Sequence, residues 1–551
     1  MAETRVEASD NAIPDLKAQL VSGQGEHVEQ IAAEVEVNEH QQTVFGAIKH
    51  RPWAFAWCIY AIWVLLLTSY DNQAGGIVVS IPQFRMDFGS AYAGDYVLPA
   101  KWQSAYSGAP VASAVIGSLS AGYIADYIGR KWTYFIAYLF VFVGITLETI
   151  STTNELFFAG KFIAGFPIGA FITISMTFIG ETAPLALRGV LTAAAAIAFT
   201  LGPFIVSLIV NDTGTREDRW AYRAIFVSQY AVSGIGFLIL PFMPESPWWL
   251  VGKGKTDRAI KSLNRLGYRE AEAQGQIALI ARTLEEIRQE TEGVTFFECF
   301  RKSNLRRTII SVAPLSIQAL CGVFFVASYT TYYIQLAGYT TKESFNLGIV
   351  QQVVSMLGNI TSWFLIDRVG RRGLTFWGMC FLTAILMITG GLAVAGAPDG
   401  LAAAATGGVV RMGAIKGTIA LLIIYNYVYN VTIGATAYSL LTEIATSRLR
   451  AKTASMALAL QNSLFTMWAF VIPFLFNPDQ ADLGAKVAFI FGGLAVLCTI
   501  YLWFYQPEVS GRSYQELDEM FMKGVPAREF KTYKTDVQLR GEEVVQQELK
   551  G

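Results

Sequence analysis

Five ionisable side chains fall inside long apolar runs of this 551-residue chain: Asp71, Glu148, Lys161, Glu181 and Glu443. A charge placed in hydrocarbon is costly, so each is a functional candidate, able to exchange a proton or hold a counter-ion. Asp71 lies 18 residues after Trp53, about 27 Å along a helix at 1.5 Å per residue. Lys161 lies 20 residues before Glu181, about 30 Å by the same rise. If the two runs are antiparallel, Asp71 and Lys161 stand at similar depth. Glu148, near the far end of its run, is expected to face water. All three histidines, His27, His40 and His50, precede the first apolar run. That excludes a catalytic histidine, a His-ligated metal and a histidine relay within the membrane. The five cysteines form no CxxC and read as small buried hydrophobes, so neither a metal site nor a cofactor is expected.

A second group could bind a hydroxyl-rich ligand. Gln318, Gly322, Phe325, Tyr329 and Tyr332 recur at three- and four-residue spacing, and Asn426, Asn430, Gly434 and Tyr438 at strict four-residue spacing, one helix face. Gln461 and Asn462, and Gln351, Gln352, Ser355 and Asn359, lie on neighbouring runs. Amides can pair with two hydroxyls, and rings can cover the apolar face of a pyranose. Taken singly, each residue serves helix–helix contact equally well. Their clustering in the second half of the chain favours a ligand.

The elements that must position these residues follow from charge and hydropathy. Apolar residues make up 53% of the chain and charged residues 15%, with a net charge of −1. Residues 1–51 hold 13 charges, 248–308 hold 20 and 507–551 hold 16, leaving two blocks nearly swept of charge. Such blocks mark a polytopic membrane protein rather than a nucleic-acid binder or a soluble enzyme. Twelve runs are long enough to span, near Trp53–Val79, Ser104–Ala125, Thr133–Ile150, Phe157–Gly180, Val190–Val210, Ala224–Phe242, Ile309–Leu336, Asn346–Ile366, Leu374–Val394, Gly417–Leu441, Thr453–Phe476 and Val487–Tyr505. The expected fold is an all-α membrane protein of two six-helix bundles with a cytosolic helical linker. Residues 1–51 form a disordered tail, 52–247 the first bundle, 248–308 the linker, 309–506 the second bundle and 507–551 a tail. In the linker Ile277, Ile280, Leu284 and Ile287 make an amphipathic face. Its twelve Lys/Arg place it, and both tails, in the cytosol. Asn211-Asp212-Thr213 then faces outward as a glycosylation sequon.

Three motifs occur once in each half. Gly122-x-x-x-Asp126-x-x-Gly129-Arg130-Lys131 is matched 241 residues later by Asp367-Arg368-x-Gly370-Arg371-Arg372. Glu181-x-x-Pro184-x-x-x-Arg188 is matched 262 later by Glu443-x-x-Thr446-x-x-x-Arg450, and Pro244-Glu245 is matched 263 later by Pro507-Glu508. This is a parallel internal duplication. Its charges, Asp126, Arg130, Glu181, Arg188, Asp367, Arg371, Glu443 and Arg450, are expected to form a cytosolic gate that latches the halves together.

With these motifs the chain resembles the sugar porters of the major facilitator superfamily from Trp53 to Phe521. Ser69-Tyr70-Asp71, Gly160-Lys161-Phe162, Glu181-Thr-Ala-Pro184-Leu-Ala-Leu-Arg188-Gly189 and Pro507-Glu508-x-x-Gly511-x-x-x-x-Glu516 carry the resemblance. Pro244-Glu245-Ser246-Pro247-Trp248-Trp249-Leu250, and Ile317-Gln318-x-x-x-Gly322 followed by Ser328-Tyr329-Thr330-Thr331-Tyr332, resemble the fungal α-glucoside (maltose-permease-like) branch. The resemblance implies the major facilitator fold, and that Asp71 carries a coupled proton beside Lys161, which stands where the family usually has Arg. The alternative is a static pair tying spans one and four. It also implies sugar contacts at Gln318 and Tyr438. Ala196 and Phe324 stand where hexose carriers place Gln and Asn, which argues against a hexose pocket. The expected function is proton-coupled symport of an α-glucoside-type sugar across the plasma membrane, with sugar, proton and membrane lipid as partners. The alternatives are a carrier or exporter of a small polar metabolite, and a non-transporting nutrient receptor.

Overall fold

The protein is described by a computed structural model over residues 44–92, 95–291, 295–397, 411–445, 449–510, 512, 514–533 and 535. Among these, twelve helices are long and apolar enough to cross a membrane. They are, as spans one to twelve, Pro52–Ser80, Ala100–Ile128, Arg130–Ile150, Asn154–Thr182, Ala194–Thr213, Trp220–Phe242, Asn304–Leu336, Thr341–Ile366, Arg371–Gly396, Met412–Leu441, Lys452–Phe476 and Gly484–Tyr505. Every span expected from hydropathy is present. The membrane face that carries residues 248–308 is called the insert side below.

Two spans are not continuous helices. Span seven breaks between Lys302–Leu320 and Val323–Leu336, where Gly322 adopts the left-handed conformation with φ of 93°. Span ten breaks between Met412–Val431 and Ile433–Ile444, at Thr432 (φ −109°, ψ −103°). Helix breaks inside a membrane free backbone carbonyls that must find donors. Here the two spans are bonded to each other beside the breaks. The Tyr425 hydroxyl of span ten donates to the Cys321 carbonyl at 2.6 Å, and Gln318 Nε2 of span seven donates to the Ile433 carbonyl at 2.9 Å.

The described residues pack as two compact units. One holds those up to Ala74, Ala112–Val206 and Arg223 to residue 291; the other holds Gly75–Val111, Ser207–Tyr222 and those from residue 295 onward. The ends of spans one, two, five and six remote from the insert thus group with spans seven to twelve. Ser104 donates to the Phe470 carbonyl at 2.9 Å, and Asn477 Nδ2 to the Leu98 carbonyl at 3.3 Å. This region also holds the helix Pro82–Phe88 and a hairpin of Ser90–Tyr92 with Asp95–Val97, the one departure among the described residues from an all-helical chain.

The duplicated motifs have a common build. Gly129 and Gly370 turn the chain between spans at φ of 101° and 87°, which only glycine adopts cheaply. A carboxylate caps the helix that follows each turn. Glu245 accepts from the Arg130 backbone N–H at 2.7 Å, and Glu508 from that of Arg371 at 3.1 Å. Burial pushes the Glu245 carboxyl up, against the pull of the Ser246, Arg130 and Lys131 N–H groups. A Cβ on Gly129 would strike that carboxylate, whereas one on Gly122 meets nothing within 4 Å. Gly129→Ala is therefore expected to cost about 1–2 kcal/mol from backbone strain alone and to lower the thermal midpoint of the solubilised protein. Gly122→Ala is expected to leave that midpoint unchanged or slightly higher.

Residues 248–308 are helical on the insert side, over Pro247–Gly252, Thr256–Arg265 and Glu270–Thr291. Leu250, Ala259, Leu263, Leu266, Tyr268, Ala273 and Ile277 pack with Ala54 at the start of span one. Ile277 and Ile280 are buried as their spacing predicts; the side chain of Ile287 lies outside the described residues. A short helix at Tyr514–Met522 docks Leu517 and Met520 on Ile310, Leu440 and Ile444 of spans seven and ten.

Candidate functional site

Spans one, three, four and six meet around Lys161. Its side chain is fully buried, and Nζ lies 3.2 Å from Asp71 Oδ1 and 3.0 Å from Glu148 Oε1. Gln229 Nε2 of span six donates to the same Asp71 oxygen at 3.1 Å, and Nζ stands 5.1 Å from the centre of the Phe226 ring. Asp71 is 7% exposed and Glu148 0%. Asp71 Oδ2 has no partner among the described residues, and beyond its ion pair Glu148 accepts no hydrogen bond. The cluster thus holds two carboxylates and one ammonium, away from water.

Helix direction explains the convergence. Side chains lean towards the N-terminus of their own helix. Spans three and four are antiparallel across the short turn Ser151–Thr153, so Lys161 leans away from the insert side and Glu148 towards it. Gly160 lets the helices close: a Cβ there would meet Glu148 Cγ and N, each at 3.0 Å. Asp71 is held by its neighbours in span one. Ser69 bonds the Ala198 carbonyl at 2.9 Å, and Tyr70 bonds the Ile225 carbonyl at 3.1 Å.

The depth arithmetic for Asp71 and Lys161 is met by their contact. The expectation for Glu148 is overturned: it is sealed from solvent and shares Lys161. Its place near a helix end suggested water, but the turn that follows is only three residues long, and the return helix covers it. Glu148 stands before that turn and Lys161 deeper on the return helix, and their opposed leans bring the two side chains together. Gln229 gave no comparable signal, being one amide in an apolar run.

The amide and aromatic set is dispersed. Gln318 and Gln461 meet, with Gln461 Nε2 donating to Gln318 Oε1 at 2.6 Å, while Gln318 Nε2 donates to the Ile433 carbonyl beside the break in span ten. Asn426 and Asn430 are bonded to carbonyls one turn back on their own helix, at 3.3 and 2.8 Å. Phe325 and Tyr329 lie in the packed interior against Phe476, with ring centres 6.0 and 5.2 Å away. Tyr438 is 52% exposed and Asn462 half-buried. Asn426 and Asn430 lie before the break at Thr432 and Gly434 and Tyr438 after it, so the four do not share one continuous helix.

Within each half, charged residues of the motifs pair with one another. Arg130 forms a bidentate pair with Glu181, at 2.7 and 3.1 Å, and contacts Asp126 at 3.4 Å. Arg371 reaches Glu443 at 3.2 Å. The side chains of Arg188, Asp367 and Arg450 lie outside the described residues. Asn211 sits in the last turn of span five, half-buried, with Lys342 donating to its carbonyl.

Comparison with known proteins gives this arrangement a context. The family described as "Sugar (and other) transporter" matches residues 57–521. A maltose permease of Saccharomyces cerevisiae is 29% identical over 517 residues, covering 92% of this chain and 82% of its own. A general alpha-glucoside permease of the same yeast is 28% identical, covering 91% and 80%. Among solved structures, the E. coli xylose transporter XylE in a partially occluded inward-open conformation superposes with a TM-score of 0.66. It is 18% identical and covers 84% of this chain and 100% of its own. The proton:xylose symporter XylE bound to 6-bromo-6-deoxy-D-glucose gives a TM-score of 0.65 at 19% identity, over 85% and 99%. The twelve spans, the paired motifs and a family match over most of the chain agree: this is a multi-pass membrane protein of the sugar transporter family, with the major facilitator fold.

Proposed function

We propose that this protein is a proton-coupled symporter of an α-glucoside-type sugar, working by alternating access in the plasma membrane with the insert and both tails in the cytosol. The observation that carries this reading is the Asp71–Lys161 pair, 3.2 Å apart and buried. Asp71 takes up the coupled proton. Protonation removes its charge and loosens its hold on Lys161, so the packing of span one on span four depends on proton occupancy. The paired clusters at Arg130 and Arg371 stiffen the insert-side ends of each half, and across the rocking motion they act as the gate. The substrate class comes from the yeast permeases, and Gln318, Gln461, Asn426, Asn430, Phe325, Tyr329, Tyr438 and Asn462 remain its candidate contacts. A second reading, transport of a less hydroxylated polar metabolite, is favoured by one contact: Phe324 packs at 6.2 Å on Phe465 and presents no polar group.

Expression in cells lacking their own α-glucoside carriers tests the proposal. Labelled maltose is expected to enter, and a proton uncoupler to abolish its accumulation above the external level. No entry overturns the sugar assignment. Accumulation untouched by the uncoupler overturns the coupling.

A further inference from the structure

With Lys161 as its only ionic neighbour, Asp71 would leave a lone buried cation each time it took a proton. Glu148 changes that balance. It lies on span three, fully buried, 3.0 Å from Lys161 Nζ, and no other donor serves either of its oxygens among the described residues. The charged groups around it are Lys161 of span four and, through Lys161, Asp71 of span one; span six contributes the uncharged Gln229 and Phe226. An unbalanced charge in a dry interior is the expensive state, and a balanced, contacting set the tolerable one.

We propose that Glu148 is the standing counter-ion of Lys161, so that the proton-loaded cluster, with Asp71 neutral, is the electrically balanced one. The proposal rests on the reading of Asp71 as carrier of the coupled proton. It assigns the two carboxylates different tasks. Asp71, on span one and slightly exposed, exchanges the proton. Glu148, sealed between spans three and four, holds Lys161 at 3.0 Å and supplies the second negative charge of the cluster. Without Glu148 the empty cluster is neutral and the loaded one positive; with it the empty cluster carries −1 and the loaded one nothing. Glu148 is thus a positioning residue that raises the proton affinity of the cluster without carrying the proton.

Infrared titration of the purified protein tests this without knowledge of the substrate, by following the C=O band of a protonated carboxyl group that disappears on alkalinisation. Asp71→Asn is expected to remove that band. Glu148→Gln is expected to keep it but move its midpoint to lower pH by about one unit or more, a tenfold loss of proton affinity, the scale of one like charge within a few ångströms. Glu148→Asp is expected to restore most of that shift. If Asp71→Asn removes the band but Glu148→Gln leaves its midpoint unchanged, the counter-ion role fails and the Asp71 reading stands. A band that survives Asp71→Asn, or no titrating band in the unaltered protein, overturns both. Should Glu148→Gln fail to fold, Glu148→Asp carries the test: its shorter carboxylate stands farther from Lys161 and is expected to lower the midpoint by a smaller step, and an unchanged midpoint overturns the counter-ion role.

Discussion

Lys161→Met is expected to be among the most damaging single substitutions in the protein. It keeps a similar volume but leaves Asp71 and Glu148 facing one another with no cation between them. Removing one partner from a buried ionic set costs about 3–5 kcal/mol, because the remaining charge is neither hydrated nor paired. Here two carboxylates are stranded, so neutralisation by protons is the only relief, and it is least available at high pH. The variant is expected to reach the membrane at a small fraction of the normal yield and to lose its folded elution profile more readily at alkaline than at acid pH. Fluorescence-detected size-exclusion chromatography of a tagged protein over a pH series checks both parts. Lys161→Arg, which preserves the charge, is expected to retain most of the yield.

Asp71→Asn has a large effect of another kind. The amide is nearly isosteric, and Gln229 and Lys161 still have an oxygen to donate to, so the variant is expected to fold, with spans one and four held as in the proton-loaded state. What disappears is a site that can gain and lose a proton. The variant is expected to become a passive carrier. Exchange of labelled for unlabelled sugar across the membrane continues, net accumulation falls to the external level, and the dependence of uptake on external pH vanishes. Exchange and accumulation assays on the same cells separate this outcome from simple misfolding, which would abolish both. A static structural role for Asp71 predicts the opposite pattern, in which accumulation and exchange fall together.

Much of this is legible in the amino-acid sequence, for identifiable reasons. A span needs a long apolar run, so the twelve spans follow from composition. Depth follows from a fixed rise per residue, so Asp71 and Lys161 could be set level before their contact was seen. The paired motifs marked the duplication because matched charges recur at nearly constant separation. What could not be read is what depends on partners far along the chain. The break in span seven at Gly322 is a left-handed turn inside an apolar run, and that in span ten falls at Thr432, which is no helix breaker by type. Both are held by bonds between the two spans. Each of the Arg130 and Arg371 clusters closes on a Glu far along its own half, and a second Glu caps the helix that begins beside it, pairings that no local spacing announces. Glu148 reads as water-facing from sequence because burial by a returning helix leaves no mark on the residue itself.

In the proposed cycle a proton gradient drives the substrate through this protein by way of Asp71. Purified protein in liposomes, with an imposed pH gradient as the only source of energy, tests it most directly. Labelled maltose is predicted to accumulate transiently inside vesicles whose interior is alkaline, and to fall back to equilibrium when the gradient is collapsed or Asp71 is replaced by Asn. Maltose that enters at the same rate and to the same level with and without the gradient, or that accumulates equally through the Asp71→Asn protein, would contradict it.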